Sequence, residues 1–318
     1  MDDKVLTNQI LPMAKEVLNE VKKAVIGKDD IIIKTMLAII AGGHILLDDI
    51  PGVGKTTMAL AFSKAMSLNY KRMQFTPDVL PTDVTGFNIF NKQTNQFEYK
   101  EGAAVCNMFL ADEINRTSSK TQSALLEIME EGAVTVDGVT RVIPKPYIVI
   151  ATQNPIGSVG TQMLPESQLD RFIVKLSMGY PDIESEVTIL KSKGGINPLN
   201  NIKPVVSGRD INVMQNASDS IFVDDKVYKY MADIAFATRN SGHIKLGVSP
   251  RGTVAICAMA KATALLKGRT YVIPDDISYI LNDVIEHRVL LTAKARASGI
   301  DTKTVIKELC AKIPAPKI

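Results

Sequence analysis

Residues 49–56 read DIPGVGKT and end in Lys55 and Thr56. The short apolar run Ile45–Asp48 precedes this stretch, and residues 56–66 follow it with apolar side chains at helical spacing. A glycine-rich loop between a strand and a helix is typical of a phosphate-binding loop, because its backbone N–H groups and the helix N-terminus attract anions. The stretch therefore predicts an α/β fold with a nucleotide phosphate site.

The residues of this loop are expected to hold ATP and Mg²⁺. Lys55 would reach the β- and γ-phosphates, and the hydroxyl of Thr56 would bind Mg²⁺. Asp49 stands where the strict pattern has glycine; aspartate tolerates a positive φ better than most residues, so we expect the loop to form. The residues expected to contact the nucleotide here are Pro51, Gly52, Val53, Gly54, Lys55, Thr56 and Thr57.

A second set of polar side chains follows two further apolar runs. Residues 108–113 read MFLADE, so that Asp112 can join the Mg²⁺ shell and Glu113 can polarise the attacking water. Asn154 follows the run YIVIAT at 147–152 and could orient that water, although an Asn before Pro155 is equally typical of a plain turn. Together with the phosphate loop, these residues predict a site for ATP hydrolysis.

The rest of the chain divides into two parts. Up to about residue 180, apolar strands alternate with helices, which predicts a parallel sheet covered on both faces. Residues 118–131 predict a helix with Thr117 as its N-cap and Gly132 at its end, and the Asp137-Gly138 pair predicts a hairpin over residues 133–142. Residues 181–208 are expected to form a linker, and residues 209–318 an all-helical domain.

Composition limits the classes of partner. The 37 Lys and Arg residues minus the 34 Asp and Glu residues leave a net charge of +3, which does not demand nucleic acid or an anionic membrane. The three cysteines are too far apart in the sequence for a CxxC pair, so we expect reduced thiols in a cytoplasmic protein. We also expect no membrane span, since the most apolar stretch, residues 31–47, is interrupted by polar residues and glycines.

Several segments, taken together, resemble the MoxR family of AAA+ ATPases, and the resemblance covers nearly the whole chain. The segments that carry it are DIPGVGKT (49–56), QFTPDVLPTDVTG (74–86), FLADEINR (109–116), ATQNP (151–155), LPESQLDRF (164–172) and SPR (249–251). The resemblance implies an αβα core at residues 1–180, with a helix-2 insert at about 82–102 and a pre-sensor-1 hairpin at 133–142, followed by a lid at 209–318.

The resemblance also assigns roles to individual residues. Ile26 and Gly27 would lie near the adenine, and Asn154 would be sensor 1. Arg171 would be the arginine finger that reaches the γ-phosphate of a neighbouring subunit in a ring, commonly a hexamer. Arg116 would be a second candidate for contact across that interface. Arg251 would be sensor 2 and would act in cis or in trans.

Three functions are compatible with an ATP site of this kind. The first is a chaperone-like remodeller whose client proteins contain a von Willebrand factor A domain, as the resemblance implies. The second is a nucleic-acid motor, but the hairpin tip at Asp137 is acidic, the chain has no Trp, and aromatics make up only 5% of it, all of which argue against nucleic acid as a partner. The third is a non-hydrolysing switch, against which the intact Lys55, Glu113 and Arg171 argue.

Overall fold

The computed structural model describes residues 9–50, 52–153, 163–192 and 197–317. Its centre is a five-stranded parallel sheet in the order β2-β5-β8-β1-β9, and three antiparallel strand pairs lie outside it. The strands are β1 (Ile45–Asp48), β2 (Tyr70–Gln74), β3 (Gly86–Asn91), β4 (Gln96–Glu101), β5 (Met108–Asp112), β6 (Ala133–Val136), β7 (Val139–Val142), β8 (Ile148–Gln153), β9 (Val174–Leu176), β10 (Ile244–Leu246) and β11 (Leu290–Leu291).

Helices cover both faces of the sheet and form most of the C-terminal part. The helices are α1 (Leu11–Lys22), α2 (Asp29–Ile40), α3 (Lys55–Ala65), α4 (Pro81–Thr85), α5 (Ser119–Glu131), α6 (Glu166–Leu169), α7 (Ile183–Ser192), α8 (Gly208–Asp219), α9 (Asp225–Arg239), α10 (Pro250–Leu266), α11 (Pro274–Ile285), α12 (Ala293–Ala297) and α13 (Thr302–Ala311). Among the residues given above, no helix combines the length and the apolar character needed to cross a membrane.

The central strands are buried on both faces because their side chains alternate between two apolar clusters. In β1, for example, Ile45 and Leu47 join one cluster, whereas Leu46 joins the other. The cluster of Ile45 and Leu47 continues into the C-terminal helices, where Ile256 and Ile277 belong to it. The lid therefore packs on the core through a continuous apolar layer, and the expected α/β core with a helical lid is confirmed.

Three local features differ from the expectations. The N-cap of α5 is Ser118, whose Oγ accepts a hydrogen bond from the Thr121 backbone N–H; Thr117 precedes it. The segment expected to be a linker contains α7, whose first turn carries acidic residues. The lid also contains the β10–β11 pair, so it is not all-helical.

Two hairpins project from the core at the ends of its helices. The Asp137-Gly138 turn joins β6 to β7, at the place where the sequence predicts a hairpin. A second hairpin, β3–β4, lies within the predicted insert at 82–102. The two contact each other, because Asn88 Nδ2 donates to Asp137 Oδ2 at 2.7 Å and the Arg141 guanidinium lies 3.9 Å from the centre of the Tyr99 ring.

Candidate nucleotide site

The phosphate loop has the backbone geometry that an anion site requires. Gly52 and Gly54 adopt φ values of 86° and 98°, a region that side chains with a Cβ rarely enter. Gly54 caps helix α3, which begins at Lys55, so the free N–H groups of the first turn open toward the loop. The loop can therefore surround a phosphate with backbone donors.

Lys55 is folded into this loop. Its Nζ donates to the carbonyl oxygen of Asp49 at 2.7 Å, and the residue is buried. Burial lowers the pKa of Lys55, although the carboxylates of Asp49, Asp112 and Glu113 oppose that shift. The cation is thus held among carboxylates and is placed where a phosphate can accept its hydrogen bonds.

Asp49 works differently from the expectation that rested on a positive φ. It is absent from the positive-φ residues of the described chain, and its side chain is buried instead. Its Oδ2 accepts hydrogen bonds from Ser177 Oγ at 3.2 Å, from the Gly179 backbone N–H at 2.8 Å and from the Met178 backbone N–H. The carboxylate therefore ties the phosphate loop to the chain that leaves β9.

Asp112 ends β5 beside the phosphate loop and is held by two neighbouring strands. Thr152 Oγ1, on β8, donates to its Oδ1 at 2.6 Å. Arg72 Nη2, on β2, forms an ion pair with its Oδ2 at 2.6 Å. The carboxylate is thus fixed in orientation, and Arg72 brings a second cation to the site.

Glu113 has a strained backbone and a paired side chain. Its φ of 57° and ψ of 46° place it in the left-handed region, and its backbone N–H donates to Thr152 Oγ1 at 2.8 Å. Its Oε2 accepts a hydrogen bond from Arg116 Nη1 at 2.8 Å. Arg116 therefore ion-pairs with the glutamate of its own chain.

Arg72, Asp112 and Glu113 line one cavity of about 380 Å³, together with Gly52, Gly54, Lys55, Thr56, Thr57 and Gln74. In the part of the chain that the structure describes, no cluster of three or more His, Cys, Asp or Glu side chains could hold a metal by itself. Mg²⁺ does not need one, because it commonly takes a carboxylate, a hydroxyl, phosphate oxygens and water. Thr56 and Asp112 supply the protein oxygens of that kind, so the site fits Mg²⁺ bound with a nucleotide.

A second cavity, of about 270 Å³, adjoins the first and shares Gly52, Gly54 and Thr57 with it. Its walls are largely apolar and include Ile26, Val53 and Met178. Gly27, beside Ile26, has a φ of 71°, and a Cβ there would lie 1.9 Å from Ser185 Oγ. The cavity therefore offers an apolar slot for a flat ring next to the phosphates.

Arg171 and Arg251 lie elsewhere. Arg171 Nη1 forms an ion pair with Glu130 Oε2 at 2.6 Å, and Arg251 Nη2 forms one with Glu130 Oε1 at 2.5 Å. Among the described residues that line the two cavities, neither arginine is present. Pro51 and Asn154, the other expected site residues, lie outside the described residues.

Sequence reasoning missed Arg72 and Thr152, which contact Asp112 directly. Arg72 reads in the sequence as one of several short basic pairs, next to Lys71. Its role follows from strand order, because β2 pairs with β5 and brings Gln74 opposite Asp112. A sequence does not state which strands are neighbours, although a Thr near the end of the YIVIAT strand was an available signal for Thr152.

Two family models match the chain. One describes an ATPase family associated with various cellular activities (AAA) and matches residues 44–174; the other describes an AAA lid domain and matches residues 236–309. The matches cover the sheet with its phosphate loop and most of the C-terminal helices.

Relatives of known sequence and structure align over almost the full length. An uncharacterized Bacillus subtilis protein, YeaC, is 45% identical over 96% of this chain and 95% of its own. Chaperone MoxR1 of Mycobacterium tuberculosis is 37% identical over 94% of this chain and 81% of its own. A crystal structure from Cytophaga hutchinsonii, of a protein assigned as an ATPase, superposes with a TM-score of 0.92 at 36% identity, covering 99% of this chain and 98% of that one.

Proposed function

The chain belongs to the MoxR family of AAA+ ATPases, and we propose that it works as a ring of identical subunits that remodels partner proteins. Nucleotide binding and ATP hydrolysis are the family's activity, and the phosphate loop with Lys55 and the Asp112-Glu113 pair provides for both. The ring, its Mg²⁺ and its clients are the parts of the proposal argued below.

The cavity divides the work of hydrolysis among its own residues. Lys55 and the N-terminus of α3 bind the phosphates, and Glu113 withdraws a proton from the attacking water. Thr56 and Asp112 would hold Mg²⁺, which shields the phosphate charge. The apolar slot at Ile26 would take the adenine, with Gly27 beside it. Asn154, which would orient the water, stays a prediction from the sequence.

The observation that carries the ring is the position of Arg171. An arginine that stabilises charge on the transferred phosphoryl group raises the rate by about 10³–10⁵. Arg171 is bound to Glu130 and lies outside the cavity that contains Lys55. A neighbouring subunit can supply it, and Arg251 beside it, in trans if subunits join head to tail in a closed ring, as a hexamer would.

Mixing two inactive variants tests this arrangement. Lys55→Ala removes the phosphate cation but keeps the arginines, whereas Arg171→Ala keeps the phosphate loop. Each alone should lose at least about 10³-fold in kcat. A one-to-one mixture should recover about a quarter of wild-type activity, because about one interface in four joins an intact loop to an intact arginine.

The control is to label the subunits of the two variants and measure whether they assemble into the same rings. Recovery in the mixture would support the ring, and turnover per wild-type subunit should then rise steeply with protein concentration. If labelled subunits co-assemble but activity stays at the level of the variants, Arg171 does not act across the interface and this part of the proposal fails.

Exposed apolar side chains on the two hairpins support a protein client. Six large apolar side chains on the two hairpins are exposed, namely Phe87, Ile89, Phe90 and Phe97 on β3–β4 and Val139 and Val142 on β6–β7. The hairpin tip at Asp137 carries an acid, which disfavours a nucleic-acid backbone. The name of a relative, Chaperone MoxR1, also agrees with this function. A client with a von Willebrand factor A domain remains the specific form of the proposal.

A trapped variant identifies the client. Glu113→Gln should bind ATP and hydrolyse it slowly, and proteins that co-purify with it in ATP can be identified by mass spectrometry, with Lys55→Ala as the control. A von Willebrand factor A domain protein retained only with ATP would support the proposal. Nuclease-sensitive nucleic acid in its place would favour the motor function.

We also place the ring in the cytoplasm, where its three free thiols would stay reduced.

A further inference from the structure

Two arginines from distant segments share one carboxylate. Glu130 Oε2 lies 2.6 Å from Arg171 Nη1, and Glu130 Oε1 lies 2.5 Å from Arg251 Nη2. Arg171 follows helix α6 of the core, whereas Arg251 is in the first turn of lid helix α10. We call these three residues the Glu130 cluster. Because each oxygen takes one guanidinium, the carboxylate holds the arginine side chains next to each other.

Glu130 is placed where its own helix does not favour it. It lies in the last turn of α5, just before Gly132 ends the helix, and carboxylates near a helix C-terminus are disfavoured by the helix dipole. Arg171 offsets this, since its Nη1 also donates to the Leu126 carbonyl of the same helix at 2.6 Å. The carboxylate is therefore explained by its tertiary partners and not by helix formation.

The backbone around both arginines is fixed separately. Lid residue Arg288 is buried, and its Nη2 donates to the carbonyls of Asp170 at 3.1 Å and Phe172 at 2.6 Å, which flank Arg171. Ser249 Oγ, two residues before Arg251, donates to Asp170 Oδ2 at 2.8 Å. Because the backbones are held in this way, the role left to Glu130 is to orient the two arginine side chains.

We propose that Glu130 is a positioning residue that presents Arg171 and Arg251 as a pair to a single phosphate of the neighbouring subunit's nucleotide. This rests on the proposed function, in which both arginines act across the subunit interface. Two guanidinium ions repel each other, and a carboxylate between them offsets that repulsion. A phosphate carries more charge and more acceptor oxygens, so it can take over the paired donors.

The reason for pairing is pre-organisation. Long arginine side chains have many rotamers, and holding them in the reactive direction before the nucleotide arrives removes an ordering cost from the reaction. Without the carboxylate, the two cations should separate and act singly. We therefore expect Glu130 to affect kcat through the arginines, without contact with the nucleotide of its own subunit.

Steady-state kinetics on the full-length assembled protein test this role. Glu130→Gln should lower kcat about tenfold and leave KM within about twofold of wild type. Glu130→Asp keeps the charge and should recover part of that loss. Glu127→Gln is the matched control, because Glu127 is an exposed carboxylate one turn earlier on the same helix; it should behave as wild type.

Double-mutant cycles give a readout that a merely structural role would not change. Arg171→Ala and Arg251→Ala are made singly and together, in the wild-type and Glu130→Gln backgrounds. With Glu130 present, the pair acts as a unit, and the double variant should lose hardly more kcat than the worse single variant. With Glu130→Gln, the arginines act separately, and the two losses should multiply.

Two results would overturn the inference. One is equal kcat for Glu130→Gln and Glu127→Gln; the other is a Glu130→Gln loss that sedimentation traces wholly to failed assembly or unfolding. A different result would contradict the proposed function on which this inference rests. Wild-type kcat in assembled Arg171→Ala and Arg251→Ala would show that neither arginine acts at a neighbouring site.

Discussion

The nucleotide cavity and the Glu130 cluster balance their charges in different ways. In the cavity, the positive Lys55 and Arg72 lie beside the negative Asp112 and Glu113, so the opposite charges balance within one chain. In the cluster, two arginines share the single carboxylate of Glu130, and the Arg251 side chain remains 46% exposed. A surplus of positive charge at an accessible position invites an anion from outside the chain.

This difference agrees with the proposed division of the catalytic apparatus between neighbouring subunits. The half proposed to bind nucleotide is formed within the single chain, and its described residues come from the phosphate loop and the ends of adjacent parallel strands. The other half, the Glu130 cluster, lies where the lid meets the core and is partly exposed. Variants in the two halves should therefore fail in different ways, and four predictions examine that separation, beginning with the largest effect.

Lys55→Ala should abolish nucleotide binding, because it removes the cation that the phosphate loop encloses. We expect the Kd of a fluorescent ADP analogue to rise by at least about a hundredfold, as for the loss of a buried charge-assisted interaction. Lys64→Ala, at an exposed position of the same helix α3, is the control. Arg171→Ala should leave this Kd unchanged; a comparable loss there would contradict the separation of the two halves.

Asp49→Asn should destabilise the cavity half of the core. The carboxylate accepts hydrogen bonds from Ser177, Met178 and Gly179, and an amide oxygen cannot serve them as strongly. We expect a loss of about 2 kcal/mol in the free energy of unfolding, measured with urea. Asp48→Asn removes a longer ion pair with Lys175 at 3.5 Å and should change the stability little. Equal losses would mean that the Asp49 contacts do not stabilise the loop.

The sequence predicts the cavity half well because its chemistry is local. A strand, a glycine-rich loop and a helix follow one another in DIPGVGKT, and Asp112 and Glu113 follow a strand of their own. The contacts of Asp49 were not predictable, since Met178 and Gly179 lie 129 and 130 residues away along the chain. The tolerance of aspartate for a positive φ, on which the sequence argument relied, is not what fits Asp49 into the loop, because its backbone does not adopt one.

The cluster half is predicted less well, since it exists only after the lid docks. Arg171 and Arg251 were identified from a family resemblance, but nothing in the spacing of LDRF and SPR joins them. Glu130 reads as an ordinary solvated residue of the α5 helix, and 121 residues separate it from Arg251. Such long-range pairs become visible only when the packing of helices is known.

Arg72→Ala should make nucleotide binding depend more strongly on Mg²⁺. Arg72 neutralises Asp112 and lines the phosphate cavity, so its loss leaves one cation fewer beside the phosphates. We expect the Kd for ADP to rise about tenfold in EDTA and less with Mg²⁺, which would replace that charge. Lys71→Ala, the neighbouring residue on β2, should show neither effect. An equal loss under both conditions would mean that Arg72 does not act together with Asp112, the proposed Mg²⁺ ligand.

The most gradual effect should come from acid, and it should reach the cluster before the cavity. His44 Nδ1 accepts a hydrogen bond from the Val149 backbone N–H, and its Nε2 pairs with the carbonyl of Met129, the residue before Glu130. Burial lowers the pKa of His44 to about 4. Burial and the neighbouring Arg288 also hold the pKa of His287 well below its usual range, and His287 Nε2 pairs with the carbonyl of Phe172, next to Arg171.

A lowered histidine pKa fixes the sign of the pH dependence. Above about pH 6.5 both the folded and the unfolded chain carry a neutral His44, whereas below it only the unfolded chain takes up the proton. The free energy of unfolding should therefore fall as the pH drops from about 6.5 toward 4, by at most about 1.4 kcal/mol per pH unit from His44. His44→Gln should flatten this slope whatever its own stability, since glutamine does not titrate. Hydrogen exchange at pH 5.5 should show the end of α5 losing protection before α3; simultaneous loss, or an unchanged slope in His44→Gln, would mean that acid does not act through the helix that carries Glu130.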